Sequence, residues 1–247
     1  MARNVVILTS GLTGSSVLTG LICQAGHWAG DKTVVKEDYD TYENKELVDL
    51  NLKLIEEAGY SGNYLLEFSD ASIQAIAALF GKIDVHPYAA FVAKCRDHRP
   101  WIWKDPRLWL TVRFWSKLMD LDDCSFIVLT RGYLQGWISQ TLRRQIKSYG
   151  FTKSYEKAIV QSVVGFLETN KLPYLSVSYE NLVARPAETI SALNAHLGTE
   201  LKIDDLKKVY HKELYREPKS SWLNHAKALL IYIKNYPERT DIRTASR

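Results

Sequence analysis

Short apolar runs that are typical of β-strands alternate with longer helical patterns along this chain. The first strand is predicted at residues 5–8, directly before a loop of Gly, Thr and Ser. Residues 125–130 ("SFIVLT") form a near-continuous apolar run, which is typical of a strand buried on both faces. Two further strands are predicted in the stretches "WIWKDPR" and "PYLSVSY". These four runs are the candidates for a central sheet.

Amphipathic helical patterns fill most of the intervals between the strands. The helix after the first loop presents one apolar face, and Gly26 ends it. A second pattern runs from about residue 43 to residue 58, with Gly59 as its stop. Further helices are predicted in "SDASIQAIAALFGK" and "PYAAFVAKCRD", from about residues 133 and 152, and in "RPAETISALNAHLG". The last third is helical and ends in a polar tail, residues 237–247, that we expect to fray.

Strands interleaved with helices of this length predict an α/β fold. We expect a three-layer α/β/α arrangement, with a central parallel sheet and helices on both faces. A chain of 247 residues can bury a sizeable core, and one domain over residues 1–247 is expected. Ligands of such sheets bind at the carboxyl ends of the strands, and the polar motifs below fall at such ends.

Composition and charge argue against several classes of partner. The apolar content of 46% and charged content of 24% are typical of a soluble globular protein. A net charge of +4 suits a small anionic ligand and is too weak to indicate nucleic acid. The sequence shows neither the apolar region of a signal peptide nor a run near the ~20 residues of a membrane span. We therefore expect a cytoplasmic protein without a membrane or nucleic-acid partner.

The three cysteines, Cys23, Cys95 and Cys124, are an odd and scattered set. Buried free thiols are the better interpretation, and they indicate a reducing compartment. Cys95 and His98 could begin a metal site, but no second pair of ligands stands at the required spacing. No bound metal is expected.

The stretch after the first strand contains Thr13, Gly14, Ser15 and Ser16, and it opens a helix. Backbone amides at a helix start suit an anion, and glycine lets a ligand approach the chain closely. The alternative is an ordinary Gly/Ser turn with a serine helix cap. A phosphate-binding loop of a kinase or NTPase would carry a lysine after the glycine, and this loop has none.

Three other polar stretches lie at predicted strand or helix ends. Arg131 follows the buried strand, and Ser139 lies eight residues later, so both can reach one phosphate. Lys104 and Asp105 lie between tryptophans at the end of another strand. Glu43 is predicted at the start of a helix. Taken singly, each has an ordinary alternative: a surface arginine, a structural ion pair, or a carboxylate favoured by the helix dipole.

Together and in this order, these stretches resemble the sulfotransferases that use 3′-phosphoadenosine 5′-phosphosulfate (PAPS), especially their bacterial and phage members. The likeness covers roughly residues 4–198. The matching segments are "TSGLTGSS" at the first loop, "WIWKDPR", Arg131 with Ser139, the helix led by Tyr42 and Glu43, and the late "YENL". The resemblance implies the three-layer fold of P-loop-type nucleotide-binding proteins in its sulfotransferase form.

The resemblance also implies a reaction and roles for residues. A sulfuryl group would move from PAPS to a hydroxyl or amine of an acceptor, with adenosine 3′,5′-bisphosphate as the other product. The loop, Thr13 to Ser16, would hold the 5′-phosphate, and Arg131 with Ser139 would hold the 3′-phosphate. Glu43 would take the acceptor's proton, and Lys104 would stabilise charge on the leaving phosphate.

One position departs from the family, because Leu12 stands where its loop carries arginine or lysine. Two alternatives follow. Either Lys104 supplies the missing positive charge, or the protein binds the nucleotide without transferring sulfate. A P-loop-type kinase ranks below both. His86 is a rival for the role of base, although a histidine at a helix start is its better interpretation.

The acceptor is expected to be a small molecule or a carbohydrate, and the oligomeric state cannot be read from the sequence. Five aromatic residues lie in segments expected to border the cleft: Trp28, Tyr39, Tyr42, Tyr88 and Phe91. The alternative for most of them is a place in the core. The segment "REPKSSW" is a candidate lid, with Lys219 and Ser221 near the nucleotide.

Overall fold

The computed structural model describes residues 2–37, 39–64, 67–209 and 222–239. In chain order its strands are β1 (Asn4–Leu8), β2 (Thr33–Val35), β3 (Asp40–Asn44), β4 (Ile102–Lys104), β5 (Cys124–Thr130) and β6 (Tyr174–Ser178). Its helices are α1 (Ser15–Cys23), α2 (Lys45–Glu57), α3 (Asp70–Ala77), α4 (His86–Asp97), α5 (Leu108–Trp115), α6 (Tyr133–Leu142), α7 (Tyr149–Thr169), α8 (Tyr179–Ala184), α9 (Pro186–Leu197), α10 (Ile203–Val209) and α11 (Trp222–Lys234).

Four parallel strands form the central sheet in the order β4–β1–β5–β6. In the register of the sheet, Val5 of β1 lies between Ile102 of β4 and Ser125 of β5. Phe126 of β5 lies opposite Tyr174 of β6. Because the four strands run in one direction, the residues that follow them lie along one edge, which we call the carboxyl edge.

Alternate residues of β1 face opposite sides of the sheet, and helices cover both sides. Val6 and Leu8 belong to one core with residues of α2, α3, α4, α5 and α7. Val5 and Ile7 belong to a second core with residues of α1, α8, α9 and α10. The four side chains are fully buried. The predicted three-layer α/β/α fold with a central parallel sheet is therefore confirmed.

Two helices begin at other residues than the sequence predicts. The helix expected from about residue 43 begins at Lys45, because residues 40–44 form β3 and the Asn44 side chain caps the helix. The helix expected from about residue 152 begins at Tyr149, where the Ser148 hydroxyl accepts a hydrogen bond from the Phe151 N–H at 3.2 Å. In both cases a capping side chain sets the boundary.

Helix α5 and the two strands β2 and β3 were not predicted. Helix α5 is buried on nearly every side, so its sequence carries no amphipathic period. The antiparallel hairpin of β2 and β3 is short and partly polar, and it lies outside the central sheet. The predicted tail begins at residue 237, inside a 3₁₀ turn at Tyr236–Glu238, and residues 240–247 lie outside the described ranges.

Candidate active site

The loop between β1 and α1 brings a helix N-terminus to the carboxyl edge. Gly14 is the N-cap, with a φ of 81°, and α1 begins at Ser15. The backbone N–H groups of a helix's first turn lack acceptors within the helix and carry the positive end of its dipole. The alternative prediction of a serine cap is wrong, because among the described residues no side chain caps this helix. The loop geometry therefore suits an anion.

Glycine is required at position 14 for two reasons. Its φ lies in the left-handed region, which other residues adopt at a cost. A Cβ atom there would also lie 2.1 Å from Cδ2 of Tyr179, whose ring lies against the loop. Leu12 has a positive φ of 54° as well. The loop backbone thus follows a tight path beneath the tyrosine ring.

The three hydroxyl-bearing residues of the loop have different surroundings. The Thr13 hydroxyl is buried and shares a hydrogen bond of 2.5 Å with the Thr9 hydroxyl. Ser15 is also buried. Ser16 is half-buried, and its hydroxyl accepts a hydrogen bond from Lys104 Nζ at 3.5 Å. Ser16 is therefore the residue through which the start of α1 contacts Lys104.

Lys104 ends β4 and extends its ammonium to the start of α1. Its side chain is 4% exposed, and Nζ forms an ion pair with Glu43 Oε1 at 2.5 Å. The same ammonium donates to the Thr41 carbonyl at 3.3 Å and to Ser16. A buried ammonium persists only when it is paired and hydrogen-bonded, and Lys104 meets both conditions. The structure therefore brings Lys104, Glu43 and Ser16 together.

Glu43 lies in β3, and the prediction that it begins a helix is wrong. The Asn44 side chain occupies the cap and accepts hydrogen bonds from the N–H groups of Glu46, at 3.0 Å, and Leu47, at 3.3 Å. Tyr42, the residue before Glu43, has a positive φ of 55°. The Glu43 carboxylate is thus stabilised by the Lys104 ammonium and not by a helix dipole.

A buried polar network holds the chain immediately after Lys104. The fully buried Asp105 accepts hydrogen bonds from Asn51 Nδ2 at 2.8 Å, and from Arg107 N and Nη1 at 2.9 and 2.8 Å. Trp115 Nε1 in turn donates to Asn51 Oδ1 at 2.8 Å. Burial raises the pKa of Asp105, while the charge of Arg107 opposes that rise. We call Asn51, Asp105 and Arg107 the clamp.

Sequence reasoning missed Asn51, although a signal was present. Asn51 lies on the same face of α2 as Leu47 and Leu54, and all three side chains are fully buried. A polar residue on the apolar stripe of a helix needs a buried partner. Here the partners are a carboxylate and an indole, which only the tertiary structure brings near.

Arg131 follows β5 at the carboxyl edge and reaches the same loop from the other side. Its Nη1 donates to the Leu12 carbonyl at 3.2 Å, and its guanidinium lies 5.0 Å from the centre of the Tyr179 ring. Its Nε is buried and has no hydrogen-bond partner among the described residues. Buried donors of this kind ordinarily have an acceptor. Arg131 is therefore a cation with unused hydrogen-bonding capacity next to the loop.

Ser139 lies on α6, the helix that begins two residues after Arg131, and its side chain is half-buried. No hydrogen bond within the described ranges joins Ser139 to Arg131. Behind α6, the buried Glu156 of α7 accepts a hydrogen bond from Gln140 Nε2 at 3.4 Å. Burial raises the pKa of Glu156 to about 7, against the opposing charges of Lys147 and Arg131.

Three of the five aromatic residues proposed for the acceptor cleft lie elsewhere. Tyr88 and Phe91 are fully buried in the core and pack on Trp115, as the alternative predicted. Trp28 pairs with Trp101 just before β4, at the opposite edge of the sheet from the loop.

The remaining candidates have mixed outcomes. Tyr39 and Tyr42 lie beside or in β3, near Glu43, and both are half-buried. His86 begins α4, as expected, and its side chain is exposed. Lys219 and Ser221, the lid candidates, lie outside the described residues.

All three cysteines are free, with Cys95 and Cys124 buried and Cys23 half-buried. Burial raises the pKa of each thiol to about 12, so the reactive thiolate is scarce at neutral pH. Among the described residues, no three His, Cys, Asp or Glu side chains are placed to hold a metal ion. None of the helices that the structure describes is long and apolar enough to span a bilayer.

Comparison with known proteins gives the fold and no sequence family. No protein-family model and no curated protein matches the sequence. The sulfotransferase domain of the olefin synthase from Synechococcus PCC 7002 superposes with a TM-score of 0.54 at 20% identity, over 85% of this chain and 78% of that domain. The fold is that of sulfotransferase domains. The sulfotransferase domain of the curacin biosynthetic pathway gives a TM-score of 0.52 at 17% identity, over 87% of this chain and 80% of that domain.

Proposed function

We propose that this protein transfers a sulfuryl group from PAPS to a hydroxyl or amine of an acceptor. The observation that carries this proposal is the position of Lys104. The loop has no cation of its own, yet a buried ammonium from β4 lies 3.5 Å from the Ser16 hydroxyl. The charge that sulfuryl transfer requires therefore comes from a neighbouring strand.

The described residues fit the two phosphates of the nucleotide. The amides that open α1, with the Ser16 hydroxyl and Lys104, would hold the 5′-phosphosulfate. Arg131 would hold the 3′-phosphate, because its Nε is buried without a partner in the described part of the chain. Ser139 would add a hydroxyl from α6. Guanidinium groups suit phosphate, since they offer several donors in a fixed plane.

Each reacting group has a residue beside it in this proposal. PAPS supplies the sulfuryl group, whose bond to the 5′-phosphate oxygen breaks as a bond to the acceptor oxygen or nitrogen forms. Lys104 stabilises the negative charge that develops on that phosphate oxygen. Glu43 accepts the proton that the acceptor loses. The acceptor itself is proposed to be a small molecule or a carbohydrate.

One specific observation supports a second candidate, a protein that binds the nucleotide without transferring sulfate. Leu12 stands in place of a loop cation, and its carbonyl accepts a hydrogen bond from Arg131. The position of Lys104 favours the active enzyme over this candidate. A kinase is disfavoured, because the loop lacks the lysine that a triphosphate requires.

The first test is calorimetric titration with adenosine 3′,5′-bisphosphate in the absence of magnesium, in parallel with ATP and magnesium. We expect the bisphosphate to bind and ATP to bind far more weakly. Transfer of labelled sulfate from PAPS to a panel of hydroxyl and amine acceptors then separates the enzyme from the nucleotide-binding protein.

The variant Arg131→Ala tests whether Arg131 contributes to nucleotide binding. Its control is Arg96→Ala, at an exposed position of α4. Loss of a hydrogen-bonded charge should weaken bisphosphate binding by about ten- to a hundredfold, and the control should bind like the parent. ATP binding in preference to the bisphosphate would overturn the proposal.

A further inference from the structure

The ammonium of Lys104 has no unused donor in this structure. A lysine ammonium offers three N–H groups. Three acceptors surround Nζ: Glu43 Oε1 at 2.5 Å, the Thr41 carbonyl at 3.3 Å and the Ser16 hydroxyl at 3.5 Å. An incoming anion must therefore compete with these three acceptors for Lys104.

The three acceptors differ in charge and in freedom. The Thr41 carbonyl belongs to the backbone of β3. The Thr41 hydroxyl donates a hydrogen bond to the Val34 carbonyl of β2 at 2.6 Å, which holds the two strands of the hairpin together. The Ser16 hydroxyl is neutral and belongs to the loop itself. Glu43 alone carries a negative charge, and an arriving phosphosulfate would repel it. Its long side chain can also change rotamer without moving the strand.

We propose that the Glu43 carboxylate acts as an internal anion, which occupies Lys104 until the 5′ end of the donor displaces it. This inference rests on the proposed function and adds an order of events to it. While Glu43 is paired with Lys104, its carboxylate is held by a cation. Once the donor holds Lys104, the carboxylate is released and can accept the acceptor's proton. Donor binding thus precedes the appearance of the base.

The backbone conformation of β3 places the Glu43 carboxylate next to Lys104. Tyr42 has a positive φ of 55°, so the chain turns between the Thr41 carbonyl and the Glu43 side chain, and both reach Nζ. The Tyr42 ring packs tightly on α1, because a Cβ at Gly20 would lie 2.7 Å from the ring atom Cε2. We infer that Tyr42 is a positioning residue for the pair, held in its conformation by this packing.

The experiment measures bisphosphate affinity by calorimetry in the parent, Glu43→Gln and Glu46→Gln. Glu46 is the control, since it is an exposed carboxylate three residues away that pairs with Lys94 and not with Lys104. Glu43→Gln removes the competing charge and should bind the bisphosphate about tenfold more tightly. Glu46→Gln should bind like the parent. In an assay with an accepting substrate, Glu43→Gln should also transfer sulfate about a hundredfold more slowly.

A double-mutant cycle separates competition for Lys104 from simple repulsion. In a Lys104→Met background, Glu43→Gln should raise affinity by a clearly smaller factor, because only its repulsion of the anion is then relieved and the contested cation is absent. A gain of the same size in both backgrounds, or an equal affinity of Glu43→Gln and the parent, would overturn the internal-anion proposal. That result leaves the proposed function standing as long as the parent binds the bisphosphate. Failure of the parent to bind it would instead overturn the proposed function.

Discussion

Two cations lie at the carboxyl edge, on opposite sides of the same loop, and they differ in how fully the chain satisfies them. Lys104 is paired with a carboxylate and has an acceptor for each of its three N–H groups. Arg131 has a backbone acceptor and an aromatic neighbour, but its buried Nε has no partner among the residues described. Lys104 is thus already paired with an anion of the protein, whereas Arg131 still has a donor available for a ligand.

This difference assigns the two cations different tasks in the proposed function. Arg131 can bind phosphate without breaking an existing ion pair, so it contributes directly to affinity. Lys104, which is already paired, must exchange the Glu43 carboxylate for the phosphate. The attraction gained from the phosphate and the attraction lost from Glu43 then nearly cancel. Lys104 would therefore contribute little to ground-state binding and most when charge develops on the leaving oxygen.

The largest expected effect concerns the clamp, which holds the chain immediately after Lys104. Asp105→Ala would leave the mostly buried Arg107 without its carboxylate. Removal of one partner of a buried pair costs about 3–5 kcal/mol, so the free energy of unfolding in urea should fall by that amount. Asp97→Ala, an exposed position at the end of α4, should change it by less than about 0.5 kcal/mol. Equal losses would show that the clamp does not anchor this strand end.

The second largest effect is expected for Lys104→Ala. This variant tests whether Lys104 acts in sulfate transfer more than in nucleotide binding. Sulfate transfer should fall by about 10²–10³, the usual cost of losing a donor to a developing oxyanion. Affinity for the bisphosphate should change much less, because Glu43 already competes for Lys104 in the parent. Lys53→Ala on the exposed face of α2 is the control. A variant that keeps transfer but loses affinity would reverse the assigned roles.

The smallest effect concerns Glu156, the buried carboxyl behind α6 on the Arg131 side. Burial raises the pKa of Glu156 to about 7, so the native state holds a proton that the unfolded state has lost above its ordinary value of 4.5. The parent therefore loses stability as pH rises from about 4.5 through 7. Glu156→Gln should be more stable at pH 8 by at most about 3 kcal/mol, and the advantage should vanish near pH 4.

Chemical unfolding at both pH values measures this difference. Glu168→Gln, an exposed position on the same helix, should show no pH-dependent advantage. A pH-independent gain in Glu156→Gln would mean that the carboxyl is already ionised in the native state. In that case the charges of Lys147 and Arg131 would outweigh the effect of burial on Glu156, and part of the Arg131 charge would already be balanced within the protein.

The sequence predicts the fold well because the strands are short apolar runs with clear stops. β5, for example, is buried along almost its whole length, and Gly198 ends α9 with a left-handed φ of 68°. The missed elements carry weaker signals. α5 is apolar on nearly all sides, and β3 depends on pairing with β2 rather than on its own residues. A pattern along one segment cannot record such pairing.

The site was predictable as a set of residue types at strand ends, but not as a set of contacts. Lys104 ends one parallel strand and Arg131 follows another, so topology alone brings them to one edge. The ion pair with Glu43 depends on a hairpin outside the sheet and on the unusual backbone of Tyr42. Predicting a role for Asn51 would have required the observation that this polar residue lies on the buried face of a helix. Long-range partners of this kind follow from packing and not from spacing.

In the proposed function, the contacts of Arg131 would connect the residues assigned to the two phosphates of the nucleotide. Arg131 donates to the Leu12 carbonyl and stacks on Tyr179, and the Tyr179 ring lies directly against Gly14 at the N-cap of α1. A phosphate that orders the guanidinium would therefore also order the loop that receives the other phosphate. By thermodynamic reciprocity, a ligand with both phosphates would gain more than the sum of its halves. Selectivity for a doubly phosphorylated nucleotide would then be built into the connection between the sites and not into either site alone.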